Sequence, residues 1–380
     1  MDFNLTPEQE ALADSVARFT ARDYTFDTRN RLIEAGTGLD RGHWQAFADL
    51  GWLGAGLSEQ VGGYGGGPVE NMIIMEGFGR ALVLEPFLPV AVVAVQTLAA
   101  LAPSTMRDTL IAEIVAGQTI LILAHGELAA RGMPDHVETR MENGRITGAK
   151  SMVIGGHAAS RLIVSACGAD GLGLYLVDPA AAGISARHYR LLDNQHAVDL
   201  VFEDTPVLEA LAGPVESEAA IAAGLAHGLV GVSAEAVGAM DAAIRMTRDY
   251  ITTRHQFGTA LSTFQALQHR MADMLVEMEL SRSILYQGIA SLGHAGSQRT
   301  RAVAAMKAIV SSAALFVGRN AVQLHGGIGM TEEYAVGHFY RRLFVIAGQF
   351  GGESLHLKTM AGLSQSFWAA PAAAPSPITA

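Results

Sequence analysis

Apolar positions recur at helical spacing through the first third of the chain. This part opens on Thr6, Pro7 and Gln9, a combination typical of a helix start, because Thr6 can cap the helix, Pro7 fits its first turn and Gln9 can reach back to the cap. A helical pattern continues from there to about Arg22. The same spacing predicts further helices at residues 43–50, 69–83, 87–101 and 105–116.

The pattern changes to short β-prone segments after Gly117. Asn143-Gly144 is a strong signal for a two-residue hairpin turn between two of these segments. Strands separated by Gly and Asp turns predict a small β-domain that ends near Gly213-Pro214. The predicted strands are residues 120–124, 137–141, 145–154, 162–166, 172–177 and 198–202.

The pattern is helical again from Glu216 onward. Residues 216–250 are rich in Ala and Gly, which permits close approach of neighbouring helices. The next predicted helix, residues 264–292, carries an apolar stripe that we expect to face the core. The stripe consists of Leu267, Met271, Met274 and Met278. Two more helices are predicted at residues 298–324 and 331–348.

This order of elements predicts an α+β fold. We expect an N-terminal helical domain at residues 1–117, a central β-domain at residues 118–213 and a C-terminal four-helix bundle at residues 214–367. Residues 368–380 are rich in Ala and Pro and are expected to form a flexible tail.

Composition and charge narrow the possible functions. Half of the 380 residues are hydrophobic, so a large buried core is expected. The net charge of −11 argues against a nucleic-acid-binding protein, which needs a basic face. Cys167 is the only cysteine, which excludes an intrachain disulfide, and the histidines lack the paired spacing of metal ligands. We therefore predict no metal site.

The sequence also bears on the compartment. The first residues are acidic and polar and lack the basic start and apolar run of a signal peptide. The longest apolar run, residues 82–101, is interrupted by Glu85, Pro86 and Pro89, which favours a buried bundle helix over a membrane span. We expect a cytoplasmic protein.

Two stretches have the composition of a ligand site. The first, residues 250–265, reads YITTRHQFGTALSTFQ, and the second, residues 323–334, reads QLHGGIGMTEEY. In the first, the guanidinium of Arg254 is a fixed cation whose fork matches phosphate oxygens. In the second, Gly326 and Gly327 lack Cβ atoms, which allows a ligand to approach the backbone closely. A GGxG sequence alone more often marks a simple turn. It is the presence of both stretches that indicates a ligand site.

At this separation, the two stretches closely resemble the C-terminal domain of the acyl-CoA dehydrogenase family of flavoproteins. The resemblance extends from about residue 3 to about residue 360. It implies FAD as the cofactor, with the first stretch binding FAD and the second holding the FAD of a neighbouring subunit. The residues to which it assigns FAD binding are Arg254, Gln256, Phe257, Phe264, Gln265, Gln323, Leu324, His325, Gly326 and Gly327.

The resemblance also implies an activity and partners. Members of the family dehydrogenate an acyl-CoA thioester to the trans-2-enoyl-CoA and pass electrons to an electron-transfer flavoprotein. The chain is then expected to form a dimer or tetramer, either with itself or with a second chain. Arg341 and Arg342, near the end of the last predicted helix, are interpreted as C-terminal charges or as contacts to a CoA phosphate.

The catalytic base is where the sequence departs from the family. The usual glutamate lies soon after the GGxG stretch, and ungapped counting places its position at Phe350. Isovaleryl- and long-chain-type members carry the base on the first helix of the C-terminal domain, at the position of Gly228 here. Neither residue can accept a proton, and Glu353 could do so only in a rebuilt loop.

Glu235 is the predicted catalytic residue. It lies seven residues after Gly228, about two helical turns, and therefore on nearly the same face. It is an isolated acid in an apolar segment, and partial desolvation suits a general base. The alternative is a buried structural glutamate, paired with an arginine such as Arg245 or Arg254 or placed at a subunit contact.

The β-domain departs as well. Glu127 and Lys150 match the family pattern, but the Trp and Thr positions around the flavin ring hold Met152 and Ile154. The residues at the adenine–pyrophosphate end of the implied FAD site thus match the family pattern better than those at the isoalloxazine end. The chain looks most like the small subunits of pimeloyl-CoA-type dehydrogenases, and it is similar to the paired subunits of bacterial steroid side-chain dehydrogenases.

Three hypotheses follow from this reading. The first is an FAD-dependent acyl-CoA dehydrogenase, or one subunit of a heteromeric one. The second is a non-catalytic partner that completes FAD binding and the subunit interface. The third is a flavin monooxygenase of the same fold, which needs no carboxylate base. The QLHGGIGMTEEY stretch favours the dehydrogenases.

Overall fold

A computed structural model describes residues 4–294 and 296–363. Residues 368–380, predicted to be a flexible tail, lie outside the described residues. Along the described chain, helices come first, a sheet follows, and helices return at Pro214. This order confirms the predicted α+β class.

The N-terminal part is helical. The predicted capping box opens its first helix: Gln9 N donates to Thr6 Oγ1 at 3.3 Å, and Thr6 N donates to Gln9 Oε1 at 3.0 Å. A π-helical segment, Leu88–Ala94, runs directly into the fifth helix. The helices are α1 Pro7–Arg22, α2 Phe26–Ala35, α3 Arg41–Asp49, α4 Pro68–Ala81, α5 Val95–Ala99 and α6 Thr105–Val115.

The central part of the described chain is an eight-stranded sheet. Seven strands lie in the order β6-β7-β3-β2-β4-β5-β8, and β1 pairs parallel with β4. Asn143 and Gly144 form the predicted hairpin turn, both at positive φ. The strands are β1 Leu121–Ala124, β2 Arg140–Glu142, β3 Arg145–Ile154, β4 Arg161–Gly168, β5 Gly171–Val177, β6 Ile184–Arg190, β7 His196–Pro206 and β8 Glu209–Ala212.

The C-terminal part is a helical bundle. A short hairpin joins its first two helices, with Phe257 and Gly258 in the turn, both at positive φ. The elements are α7 Pro214–Thr253, β9 His255–Gln256, β10 Thr259–Ala260, α8 Gln265–Ser291, α9 Gly296–His325, α10 Ala335–Gly348 and α11 Glu353–Leu363. By length and composition α7 and α9 could each cross a membrane, but most of their apolar windows is buried against the rest of the chain, as in core helices.

Glycines bring the N-terminal helices into backbone contact with the bundle. A Cβ added at Gly79 of α4 would lie 2.1 Å from the carbonyl oxygen of Glu235 in α7. A Cβ added at Gly238 of α7 would lie 2.0 Å from the carbonyl oxygen of Glu76 in α4. Helices α4 and α7 therefore cross at Gly79 and Gly238, which have no side chains. This crossing places Glu235 in the protein interior.

Candidate functional site

The two positions to which the resemblance assigns the base, Gly228 and Phe350, meet in space. Gly228 is buried in α7, and Phe350 lies in the loop that follows α10. A Cβ added at Gly228 would lie 3.1 Å from Phe350 Cζ and 2.8 Å from Val93 Cγ2. An apolar ring and a valine methyl group therefore fill the space that a side chain at position 228 would occupy.

The same face of α7 is covered by packed side chains both before and after Gly228. A Cβ added at Gly224 would lie 2.1 Å from Thr97 Oγ1, and one added at Gly231 would lie 2.7 Å from Leu88 Cδ1. Spacings of four and three residues place Gly224, Gly228 and Gly231 on one side of the helix. The segment from Leu88 to Ala99 thus packs directly on α7 along this side, and Val93 belongs to that segment.

Glu235 lies in the interior with both carboxylate oxygens occupied. Arg342 of α10 donates from Nε to Oε1 at 2.6 Å and from Nη2 to Oε2 at 2.6 Å. The same guanidinium donates from Nη1 to Asp193 Oδ2 at 2.7 Å and to Gln195 Oε1 at 3.0 Å. Burial alone would lower the pKa of Arg342, but the two carboxylates raise it above its ordinary value, so Arg342 stays charged.

This ion pair corrects the partners expected from the sequence. Arg245 pairs with Asp241 at 2.8 Å, and Arg254 lies in the exposed loop after α7, so neither meets Glu235. Arg342 is a buried partner rather than a helix-terminal charge or a phosphate contact. A proton on Glu235 would disrupt a bidentate ion pair. The catalytic role of Glu235 stays a prediction, and the contacts favour the alternative of a buried structural glutamate.

Arg29 extends the buried charges to the N-terminal helices. From α2 it donates to the Leu82 carbonyl oxygen at 2.9 Å, to the Asp193 carbonyl oxygen at 3.0 Å and to His338 Nδ1 at 3.0 Å. Burial lowers the pKa of Arg29 to about 10, which leaves it charged at neutral pH. The network joins α2, the turn between β6 and β7, α7 and α10. No local sequence pattern indicated it.

The first predicted FAD stretch is exposed. The guanidinium of Arg254 makes no ion pair or hydrogen bond within the described residues. The side chain of Phe257 is 90% exposed at the hairpin turn, and its ring meets Phe264 edge to face at 6.1 Å. Gln256 and Gln265 are exposed beside them. These groups have the freedom to contact a ligand or a second chain.

The second stretch meets the first within the same chain. His325, at the end of α9, is buried, and its ring stacks on Tyr250, one turn before Arg254, with centroids 4.5 Å apart. His325 Nδ1 is 2.8 Å from the Ala321 carbonyl oxygen, whereas Nε2 has no partner among the described residues. A Cβ added at Gly326 or Gly327 would meet nothing within 4 Å. The two glycines thus border open space.

The neighbouring residues of this stretch differ in exposure. Gln323 is exposed and can face a ligand, but the side chain of Leu324 is buried in the core. An unpaired guanidinium, exposed amide groups and open glycines suit a pyrophosphate-containing cofactor. The residues present therefore fit the pyrophosphate end of FAD.

The isoalloxazine end is built differently from the family pattern. Met152 sits at an irregularity in the pairing of β3 with β7, at positive φ, with its side chain 49% exposed. Its amide donates to Asp199 Oδ1 at 2.9 Å. A flexible thioether therefore lies at the surface, at the position where the resemblance implies a tryptophan.

Glu127 and Lys150, which match the family pattern, form a buried ion pair at 2.6 Å. Burial lowers the pKa of Lys150 to about 8. Burial would raise the pKa of Glu127, but hydrogen bonds from Lys150, Thr139 and the Glu138 amide lower it to about 2. Glu127 and Lys150 are both charged at neutral pH. Their ion pair links β3 to the segment that follows β1.

Comparisons with known proteins agree with this architecture. The model of the acyl-CoA dehydrogenase N-terminal domain matches residues 6–118, and the model of the acyl-CoA dehydrogenase C-terminal domain matches residues 217–361. The chain is 26% identical over 379 residues to acryloyl-CoA reductase (NADH) of Anaerotignum propionicum, with 94% of each chain covered. It is 27% identical to acyl-CoA dehydrogenase FadE28 of Mycobacterium tuberculosis, with 95% of this chain and 98% of that protein covered.

A solved structure matches as well. It is a variant of the Tcur3481-Tcur3483 steroid ACAD, at 28% identity and a TM-score of 0.86, covering 96% of this chain and 99% of that one. These matches confirm the predicted fold and family. The resemblance to the pimeloyl-CoA subtype stays a prediction.

Proposed function

The chain belongs to the acyl-CoA dehydrogenase family, whose members are FAD-dependent, and we propose that it acts as a base-lacking, FAD-binding subunit of a heteromeric acyl-CoA dehydrogenase. The reaction is the α,β-dehydrogenation of an acyl-CoA thioester to the trans-2-enoyl-CoA. The observation that carries the proposal is the ring of Phe350, which fills the space beside Gly228.

The chemistry of the reaction explains why this observation supports the proposal. Dehydrogenation needs a base for the α-proton, a hydride acceptor for the β-hydrogen and donors for the developing enolate oxygen. FAD supplies the hydride acceptor when it is bound. The base must reach the α-hydrogen, so we take the space between the two family base positions as the place of the α-carbon. In this chain a phenyl ring occupies that space, which supports a partner chain as the source of the carboxylate.

The pyrophosphate end of the FAD site supports a cofactor-binding role. Arg254, Gln256 and Gln323 are exposed, and Gly326 and Gly327 border open space. Groups arranged in this way can complete an FAD site that is shared with a second chain. In the proposed assembly the partner chain supplies the base, and electrons then leave to an electron-transfer flavoprotein.

The test compares the chain alone with the chain and its partner. The purified chain, loaded with FAD under anaerobic conditions, is expected to keep its flavin absorption when acyl-CoA thioesters are added. A general base contributes about 10²–10⁴-fold, so bleaching should be slower by at least the lower figure than with a base-bearing partner present. Rapid bleaching by the chain alone would overturn the proposal. The partner is sought by pull-down from the source cell, as an acyl-CoA dehydrogenase-like chain bearing the missing glutamate.

The chain is also expected to assemble as a dimer or a dimer of dimers. Large apolar side chains are exposed on three helices of the bundle, which is typical of a subunit interface. They are Leu275 and Val276 of α8, Leu280 of α8, Ile309 and Phe316 of α9 and Phe344 of α10. Light scattering at micromolar concentration should give at least a dimer.

Phe316→Glu tests that interface, because it places a charge on the apolar surface. It should shift the chain toward the monomer. Leu192→Glu is the matched control, since Leu192 is also a large exposed apolar side chain but lies in the turn between β6 and β7. A parent chain that is monomeric with FAD bound contradicts the expectation.

A further inference from the structure

The sequence of the loop that carries Phe350 does not by itself favour a single backbone conformation. Between Gly348 and Gly352, glycine occupies three of five positions. Phe350 has φ 57° and Gly351 has φ 96°. A residue with a Cβ in the left-handed region is strained and persists only where surrounding contacts determine it. The contacts that the loop makes with its neighbours therefore decide where the Phe350 ring lies.

Lys307 holds the loop on the side of α9. Its side chain is fully buried, and Nζ donates to Ser311 Oγ at 2.7 Å, to the Ile346 carbonyl oxygen at 2.9 Å and to the Ala347 carbonyl oxygen at 3.2 Å. The two carbonyl groups belong to the last turn of α10, and that of Ile346 also accepts from the Gln349 amide at 3.2 Å. Among the described residues, Lys307 has no carboxylate partner.

The charge state of Lys307 does not remove these contacts. Burial lowers the pKa of Lys307 to about 7, so both forms are present at neutral pH. The ammonium has a donor for each of the three oxygens, and the negative end of the helix dipole favours it. The neutral amine keeps two donors, enough for the two carbonyl groups of α10.

His356 holds the loop through a second contact. It lies in α11, is buried, and has Nε2 3.1 Å from the carbonyl oxygen of Phe350. Burial and the nearby Lys307 lower the pKa of His356, so its ring is neutral and Nε2–H donates to that oxygen. Phe350 is thus held through its own carbonyl by His356 and through the preceding helix end by Lys307.

We propose that Lys307 is a positioning residue, which fixes the carboxyl end of α10 and thereby keeps the Phe350 ring in the space beside Gly228. What this inference implies for acyl-chain binding rests on the proposed function, which identifies that space with the place of the acyl α-carbon. Lys307 then determines whether an acyl chain can enter this subunit. The residue acts through the loop and touches neither substrate nor cofactor.

The test places a spectroscopic probe on the ring itself. With para-fluorophenylalanine at position 350, the fluorine NMR signal reports the surroundings of the ring without FAD or substrate. Lys307→Met has similar length and no donors, and it should shift and broaden that signal. Amide exchange at residues 349–352 should rise by about tenfold or more, because the loop opens locally. Lys358→Met, at an exposed lysine of α11, is the matched control and should change neither.

A second variant separates hydrogen bonding from packing. Lys307→Gln keeps two N–H donors in a shorter side chain and should give a signal between those of the parent and Lys307→Met. It also serves as the main variant if Lys307→Met does not fold. If Lys307→Gln gives the same signal as Lys307→Met, N–H donors at this position do not hold the loop, and the result counts against the proposal. An unchanged fluorine signal and unchanged exchange in both variants would overturn the proposal.

Acyl-CoA binding distinguishes this proposal from the proposed function. If the ring leaves its place in Lys307→Met, octanoyl-CoA should bind about tenfold or more tightly than to the parent, a gain of about 1.4 kcal/mol. A moved ring with no gain in binding keeps Lys307 as a positioning residue. That result counts against the identification of this space with the acyl α-carbon, and so against the proposed function.

Discussion

Arg254→Ala is expected to lower the affinity of the chain for FAD by about tenfold or more. The guanidinium is exposed at the end of α7 and has no ion pair among the described residues, so its donors are free for phosphate oxygens. Each charge-assisted hydrogen bond contributes about 1.5–3 kcal/mol, which corresponds to about 10–150-fold in the dissociation constant. FAD affinity is measured by titration with flavin fluorescence, and circular dichroism should show unchanged helix content.

Arg248→Ala is the matched control for this experiment. Arg248 also lies near the end of α7 and is exposed, but it pairs with Asp249 at 2.7 Å. Its removal changes the net charge by the same amount, so any loss of FAD affinity through long-range electrostatics appears in both variants. Arg254→Lys keeps the charge without the planar fork and should lie between parent and Arg254→Ala. Equal FAD affinity of parent and Arg254→Ala would remove Arg254 from the site.

The sequence predicted those elements whose signals are local. The capping box at Thr6 and Gln9 and the hairpin turn at Asn143-Gly144 involve neighbours in the chain, and both are present. The exposed edge strand β6 was not predicted, because ISARHYR lacks an alternating apolar pattern. The short helices α2 and α11 were also missed. α2 begins at a Thr25 cap but carries two arginines among few apolar residues.

The same distinction between local and long-range signals holds for the candidate site. Resemblance located Arg254 and the glycines after His325, since these residues belong to continuous stretches. It also located Phe350 and Gly228 separately, but not their contact in space. The partner of Glu235 could not be predicted, because Arg342 is 107 positions away and their contact depends on how α10 packs on α7. Long-range pairing of buried charges leaves no periodic signal in one sequence.

Arg342→Met is expected to destabilise the fold by about 3–5 kcal/mol, since it leaves the buried carboxylates of Glu235 and Asp193 without their cation. Glu235→Gln should cost less, because Arg342 keeps Asp193 as a partner. Urea unfolding followed by circular dichroism measures both free energies. Arg341→Met is the control: Arg341 pairs with the exposed Glu332, and such pairs contribute about 0–1 kcal/mol.

The same variants decide between the two roles of Glu235. A structural partner of Arg342 predicts that Glu235→Gln lowers stability and that the double variant with Arg342→Met destabilises by less than the sum of the single ones, since the two side chains are in direct contact. A general base predicts instead a fall of about 10²–10⁴-fold in flavin bleaching by the assembled enzyme, with stability and FAD content unchanged. Bidentate binding of both Glu235 oxygens by Arg342 leads us to expect the first result. If bleaching falls with stability intact, Glu235 is the base, and the requirement for a second chain is removed.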